Sequence, residues 1–204
     1  MKLNELELDA LSEVFNMGVG HAANALSQLA GEAVLLSVPH VQLLSKIEVV
    51  RQLGCGPDQR ISAVRQAFSG EVITDAVLMF PADQSLLLVQ IMVGEEVPLE
   101  QLGEMEQEAL AEIGNILLNS VVASVADCLC IEFEGSLPLV ELGVASDVLL
   151  GQEAAEPILS VQIRFEIAAR QIQGQLAFLL DMNSSGVLEQ KVSRFIDGLG
   201  VQNS

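Results

Sequence analysis

Two sets of polar side chains with the same spacing are the residues of this chain best suited to chemistry. Each set has an acidic residue, then a glutamate, an asparagine and a proline, and corresponding members lie 99 positions apart. A carboxylate can pair with a cation, and a carboxamide can accept one hydrogen bond while donating another. Both halves of the chain therefore keep the same polar pair. The sets are Asp9, Glu13, Asn16 and Pro39, and then Glu108, Glu112, Asn115 and Pro138.

The residues around each pair have the pattern of an amphipathic helix. Apolar residues over positions 5–29 recur at steps of three and four, which predicts one buried stripe. At about 100° of rotation per residue, Glu13 and Asn16 fall together on the opposite face. A second helix over 105–128 places Glu112, Asn115 and Asn119 in the same relation. The two stripes are Leu8, Leu11, Phe15, Ala22, Leu26 and Leu29, and then Leu110, Leu117, Val121 and Val125.

A single Glu-x-x-Asn on a surface helix is usually a solvated face, so the repetition decides its interpretation. Asn costs about 0.6 kcal/mol relative to Ala inside a helix, yet both halves keep one there. Neighbouring positions differ between the halves; for example, Ala111 stands in the second half where Ser12 stands in the first. We therefore interpret the retained pair as functional.

The spacing resembles the signature of the CheC/CheX/FliY family of bacterial chemotaxis phosphatases. The resemblance extends over essentially the whole chain, and the two-copy layout without an added C-terminal domain is most similar to CheC. It implies a hydrolase that removes the aspartyl phosphate of a CheY-type response-regulator receiver. The residues that match the catalytic pairs are Glu13, Asn16, Glu112 and Asn115, and the supporting motif positions are Asp9, Glu108, Pro39 and Pro138.

The resemblance also implies how the work is divided between the two proteins. The receiver brings its own Mg²⁺ and lysine, so no cofactor and no metal are expected in this chain. Asn16 and Asn115 would hold the attacking water, because phosphoryl transfer depends mainly on alignment and charge stabilisation. Glu13 and Glu112 would pair with the receiver's lysine. Since Glu108 stands where Asp9 stands in the first copy, we expect the second site to be the weaker one.

Composition limits the other functions that the chain could have. The 204 residues are 50% hydrophobic and carry 9 Lys and Arg against 28 Asp and Glu, for a formal net charge of −19. Nucleic acid and anionic lipid are therefore not expected partners. Apolar runs such as 86–89 and 121–125 are far shorter than the roughly 20 residues of a membrane span. Three cysteines without a signal peptide predict reduced thiols and a cytoplasmic protein.

The remaining pattern predicts an α+β fold with a pseudo-twofold axis. We expect two helix-strand-strand-strand-helix units, over residues 1–98 and 99–204, that form a single domain. Their strands share one mostly antiparallel sheet of about six strands flanked by long helices. Ser69-Gly70 is interpreted as the turn of the first hairpin. The expected strands are 41–50, 60–68, 71–80, 139–149, 157–168 and 171–181, and the closing helices are 83–93 and 184–199.

Two other functions are compatible with the same residues. A non-catalytic adaptor could use an exposed Glu and Asn to bind a receiver, or the deamidase CheD, with which CheC proteins pair. A docking helix would however tolerate Gln, Ser or Asp at the position of Asn16, so the retained Asn favours catalysis. A component of the flagellar motor switch is the third possibility, although such proteins usually carry an added domain.

Overall fold

A computed structural model describes residues 3–52, 59–93, 99–150, 157–181 and 185–201. The first half contains α1 (Glu5–Ala30), β1 (Leu35–Leu36), β2 (His40–Ser45), α2 (Lys46–Gln52), β3 (Arg60–Gly70), β4 (Thr74–Pro81) and α3 (Ala82–Val93). The second half contains α4 (Leu99–Leu129), β5 (Phe133–Gly135), β6 (Leu139–Val144), α5 (Ala145–Leu150), β7 (Pro157–Ile167), a 3₁₀ turn (Ala168–Arg170), β8 (Ile172–Leu180) and α6 (Ser185–Val201).

The first helix has clear signals at both of its ends. Asn4 accepts a hydrogen bond from the backbone N–H of Glu7, and the Glu7 carboxylate accepts one from the backbone N–H of Asn4. This reciprocal capping satisfies two donors that a helix start leaves unpaired. Gly31 ends the helix at φ 64°, a left-handed conformation that glycine adopts at little cost. The sequence therefore fixes α1 over almost the span that periodicity predicts.

All strand pairs of the sheet are antiparallel, and the two halves are interleaved within it. The strand order is β1–β7–β8–β4–β3–β5, with β2 also pairing with β7 and β6 also pairing with β3. Each outer strand therefore pairs with a hairpin from the other half. The predicted α+β fold class is confirmed, but the sheet has eight strands rather than about six. The two additional strands, β1 and β5, are only two and three residues long and are too short to show an alternating pattern.

Two of the predicted strands were too long. The strands expected over 41–50 and 139–149 end at Ser45 and Val144, where α2 and α5 begin. At the first of these points the Ser45 hydroxyl accepts from the backbone N–H of Glu48, and the Glu48 carboxylate accepts from the backbone N–H of Ser45. This capping box starts helix α2. The weak strand alternation of the sequence continues past it, so the predicted strand was extended too far.

The turn predicted at Ser69-Gly70 is also displaced. Strand β3 continues through Gly70, and the turn to β4 is formed by residues 71–73. Gly70 has φ 146°, and a Cβ there would lie 2.2 Å from the carbonyl oxygen of Glu132. The glycine therefore serves the pairing of β3 with β5, a close backbone approach that the local sequence does not reveal.

The sheet has a different layer on each of its faces. The long helices α1, α3, α4 and α6 cover one face, where their apolar residues join Val64, Leu78 and Phe178 in one core. The short helices α2 and α5 lie on the other face, over a smaller core that includes Val49, Ala63 and Val148. Both cores contain residues of both halves. The boundary expected after residue 98 stays a prediction, since residues 94–98 lie outside the described ranges.

Helix α4 corrects one expectation drawn from the short apolar runs. Its segment Met105–Leu129 is long and apolar enough, by length and composition, to cross a membrane. Half of the tested window is buried inside the fold, where α4 packs against α1, α3 and the sheet. A buried core helix meets the same criterion, because its apolar residues contact protein instead of lipid.

Helices α1 and α4 lie side by side and run in opposite directions. Met17 contacts Cys128, whereas His21, one turn later on α1, contacts Ser124, one turn earlier on α4. At the crossing, a Cβ added to Gly18 would lie 2.9 Å from the carbonyl oxygen of Val121. Glycine therefore permits the backbones of the two helices to approach this closely.

This contact predicts opposite effects for two neighbouring glycines. Gly18→Ala should lower the free energy of unfolding by about 1–3 kcal/mol, because a backbone oxygen cannot move aside for the new methyl group. Gly20→Ala is the matched control. Apart from the adjoining part of α1, no atom of the described residues lies within 4 Å of its added Cβ, so helix propensity should raise stability by up to about 1 kcal/mol. Urea unfolding measures both, and equal shifts would contradict the close approach.

Candidate functional site

The first motif lies on the outer face of α1. Asp9, Glu13 and Asn16 are all exposed, while Leu11 and Phe15 are buried on the opposite side of the helix. Within the described part of the chain, no hydrogen bond or ion pair involves the three polar side chains. Glu13 and Asn16 are thus adjacent, unpartnered and accessible to another molecule.

The second motif lies on α4 and differs from the first in its surroundings. Glu108 and Glu112 are exposed, but Asn115 is half-buried. The Nδ2 group of Asn119 donates to the Asn115 side-chain oxygen at 2.8 Å and to its backbone oxygen at 2.6 Å. Asn119 is itself half-buried, so the second carboxamide is held where the first is free to rotate.

The two motif prolines precede equivalent strands. Pro39 comes directly before β2, and Pro138 comes directly before β6, where a residue without an N–H does not interrupt the ladder. Pro39 is buried, and its carbonyl accepts a hydrogen bond from the Ser12 hydroxyl at 3.2 Å. Through Ser12, the residue before Glu13, this bond connects α1 to the start of β2. Ala111 occupies the corresponding position of α4 and has no hydroxyl to offer.

A second duplicated polar pair fastens each motif helix to the closing helix of the other half. The Glu7 carboxylate on α1 accepts from the Ser193 hydroxyl on α6 at 3.2 Å. The Glu106 carboxylate on α4, 99 positions after Glu7, accepts from the Ser85 hydroxyl on α3 at 2.6 Å. Both glutamates lie six residues before the motif glutamate. They therefore help to set the position of each motif helix along its axis.

Other reactive side chains near the motif helices do not form a second centre. His21 Nδ1 lies 2.8 Å from Ser124 Oγ, which donates to the Ser120 carbonyl. Among the residues described, no carboxylate contacts His21 to complete a Ser-His-Asp triad. Burial, chiefly, raises the pKa of the Cys128 thiol, which makes it a poor nucleophile. In the ranges that the structure covers, no three His, Cys, Asp or Glu residues are arranged to bind a metal.

The motif residues lie on convex helical surfaces rather than in a cavity. A cavity of about 550 Å³ lies elsewhere, between β1, β7, β8 and the end of β4, and no motif residue lines it. Small substrates are usually enclosed in concave sites. An exposed Glu and Asn on a helix are better suited to a partner that carries its own concave, reactive site.

Sequence reasoning placed the motif residues on exposed helical faces but missed the residues that hold them. Ser12 and Glu7 received no role, because Pro39 and Ser193, to which they are hydrogen-bonded, are distant in sequence. Asn119 shares the motif face by periodicity, and its position one helical turn after Asn115 was the available signal. The roles of the motif residues themselves stay predictions.

Comparison with known proteins identifies the family. A model of the CheC-like family matches residues 6–42. The chain is 31% identical over 150 residues to the protein of Bacillus subtilis named CheY-P phosphatase CheC, a match that covers 72% of this chain and 71% of the relative. The chain therefore belongs to the CheC-like family.

Two solved structures share the fold at lower sequence identity. Thermotoga maritima FliY superposes with a TM-score of 0.71 at 20% identity, covering 97% of this chain and 99% of that one. CheX from a complex of Borrelia burgdorferi CheX and CheY with BeF₃ and Mg²⁺ gives a TM-score of 0.58 at 15% identity, covering 82% of this chain and 96% of that one. These likenesses establish the architecture alone.

The tethers of the motif helices predict unequal losses of stability. Ser85 is fully buried and also accepts from the Ser62 hydroxyl. Ser85→Ala should cost about 1–3 kcal/mol, because the buried Ser62 hydroxyl and the half-buried Glu106 carboxylate both lose this partner. Ser193→Ala should cost less, since Ser193 is half-buried and water can replace it. Chemical denaturation gives both values. A larger loss for Ser193→Ala would contradict this interpretation.

Proposed function

We propose that this protein is a hydrolase that removes the phosphoryl group from the aspartyl phosphate of a CheY-type receiver domain. The observation that carries the proposal is the Glu-Asn pair repeated on two exposed helical faces. Membership of a family that includes a named CheY-P phosphatase supports it. A cytoplasmic location is part of the proposal, since response-regulator receivers act there.

The proposed chemistry asks little of the phosphatase itself. An acyl phosphate attacked in line by water needs a positioned nucleophile more than a strong base. The carboxamides of Asn16 and Asn115 can accept from that water or donate to it and to the phosphoryl oxygens. The receiver supplies Mg²⁺ and a lysine, so this chain needs no cofactor of its own.

The glutamates have the complementary role in the proposal. Glu13 and Glu112 are exposed and have no cationic partner in the described part of the chain. A receiver lysine can therefore approach either carboxylate and form a charge-assisted hydrogen bond. The contact would place the asparagine, three residues later on the same face, over the phosphoryl group.

The adaptor function uses the same surface without hydrolysis. It would bind a receiver or CheD, and CheD stays a predicted partner of this chain. The unpartnered carboxamide of Asn16 favours the phosphatase, because a docking surface gains nothing from an amide that is free to bind water. The activity of asparagine variants separates the two functions.

The first prediction of this proposal concerns the asparagines. Asn16→Ala combined with Asn115→Ala should abolish dephosphorylation while changing the free energy of unfolding by less than about 1 kcal/mol, because both are replaced by a better helix former. The measurement is loss of phosphate from a phosphorylated receiver, with circular dichroism to confirm folding. Asn24→Ala, an exposed asparagine of α1 outside the motif, is the matched control and should keep full activity. A folded double variant with the normal rate would refute the assignment.

The glutamates should affect binding more than chemistry. Glu13→Ala with Glu112→Ala should weaken affinity for a receiver loaded with a phosphate mimic, and the loss should be larger at low salt, because screening weakens the charge contact at high salt. Glu134→Ala with Asp197→Ala removes the same number of exposed carboxylates away from the motif and should change affinity little. Titration at two ionic strengths measures both. Equal affinities for the two double variants would remove the docking role.

A further inference from the structure

A chain of four hydrogen-bonded groups runs from a backbone carbonyl to Asn115. Gln66, on β3 and 3% exposed, donates from Nε2 to the Ser136 carbonyl at 2.9 Å. Its Oε1 accepts from Asn119 Nδ2 at 3.2 Å. Asn119 Nδ2 also donates to Asn115 Oδ1 at 2.8 Å and to the Asn115 backbone oxygen at 2.6 Å, so its two hydrogens are shared among three acceptors. The sheet is thus connected to the carboxamide of the second motif through two side chains.

The backbone carbonyl at the start of this chain fixes the orientation of every amide in it. The Ser136 carbonyl can only accept, so Gln66 must direct its NH₂ group toward it and its oxygen toward Asn119. Asn119 must then present its NH₂ group, and Asn115 must accept with Oδ1. The Nδ2 group of Asn115, which has no acceptor in the described part of the chain, is left free to donate to another molecule.

The register of the sheet shows which residues of the first half correspond to this chain. Leu139 pairs with Arg65, and His40, 99 positions before Leu139, pairs with Gln162. The residue after Arg65 is Gln66, so its counterpart is the residue after Gln162. That counterpart is Ile163, which is buried and apolar.

Of the other two members of this chain of hydrogen bonds, the first half keeps one and lacks the other. Ser37 is the counterpart of Ser136, and each donates its backbone N–H to the neighbouring strand at 2.8 Å. The counterpart of Asn119 is Gly20, which has no side chain. The fold around both motifs is therefore the same, while the support for the carboxamide exists only behind Asn115.

We propose that Asn119, backed by Gln66, is a positioning residue that fixes the Asn115 carboxamide and preorganises the second site. This inference rests on the proposed function. A carboxamide that is already oriented loses less rotational freedom when it aligns water against a phosphoryl group. The second site is accordingly the faster one per motif, which reverses the ranking expected from Glu108 and Asp9.

Loss of Asn119 should therefore leave the contribution of Glu112 unchanged and weaken that of Asn115. Docking through Glu112 does not require the carboxamide to be oriented, so KM should stay constant. The alignment of water does require it, so kcat should fall. Loss of folded protein also lowers the apparent kcat at constant KM, so kcat is calculated per folded molecule, and the order of the Asn115 side chain separates positioning from stabilisation of the fold.

The experiment isolates the second site in the full-length protein. With Asn16→Ala as the parent, only the second site remains, and its kcat and KM are measured on a CheY-type receiver phosphorylated by a small-molecule phosphodonor. Adding Asn119→Ala should lower kcat about three- to tenfold, the effect of freeing one or two side-chain torsions, with KM within about twofold. Gln66→Ile, which installs the residue of the other half, should lower kcat in the same direction. It provides the test if Asn119→Ala does not fold.

A second measurement does not depend on activity. Nitrogen-15 relaxation of the side-chain NH₂ groups should show Asn115 more ordered than Asn16, and Asn119→Ala should remove the difference. Unchanged kcat in both variants, or equal side-chain order at Asn115 and Asn16, would overturn the positioning role. Full activity of the Asn16→Ala and Asn115→Ala double variant would instead refute the proposed function, and the relaxation data would still decide whether Asn119 orders Asn115.

Discussion

The pairing of each outer strand with a hairpin of the other half is the constraint on which the rest of the structure depends. Strand β2 has its hydrogen-bond partner in β7, and β6 has its partner in β3. A strand without these partners would expose a row of unpaired backbone groups. Because the pairing crosses between the halves in both directions, the chain has shared cores, and α1 and α4 must lie together on one face of the sheet. The exposed position of both motifs follows from that arrangement.

Duplication gave the chain two motifs in the same frame, and later divergence made their surroundings unequal. Ser12 ties α1 to Pro39, while Ala111 leaves α4 without that bond. Conversely, Asn119 holds Asn115, while Gly20 leaves Asn16 unsupported. The glycines have separate uses, since Gly18 permits the contact of the motif helices, whereas space around Gly20 is open. The first half therefore has a hydrogen bond that holds the motif helix, and the second half has one that holds the motif carboxamide.

A convex helical surface is a suitable site for a phosphatase whose substrate is another protein's active site. Most of what phosphoryl transfer requires, a metal ion and a cation near the leaving group, can come from the receiver. The helix of such a phosphatase then has to supply one carboxamide that reaches the phosphoryl group and one carboxylate that binds the receiver. Such a site needs no cavity, but it does need a rigid helix. Packing of α1 and α4 against each other and against the sheet, with the Glu7 and Glu106 tethers, provides that rigidity.

The sequence alone determined the local features of this protein: the two long helices, their buried and exposed faces, the Glu-Asn pairs and the duplicated α+β plan. These depend on periodicity and on residues within a few positions of one another, as with Leu11, Phe15 and the neighbouring Glu13. Tertiary structure decided the rest. The use of Gly70 and the chain from Ser136 through Gln66 to Asn115 depend on partners brought together only by strand pairing. The end of the strand at Ser45 is different, because its capping box with Glu48 is local and was hidden by the weak strand alternation. Hydrogen bonds between residues some 50 to 70 positions apart leave no periodic trace in a single sequence, because either partner could serve the same local structure without the other.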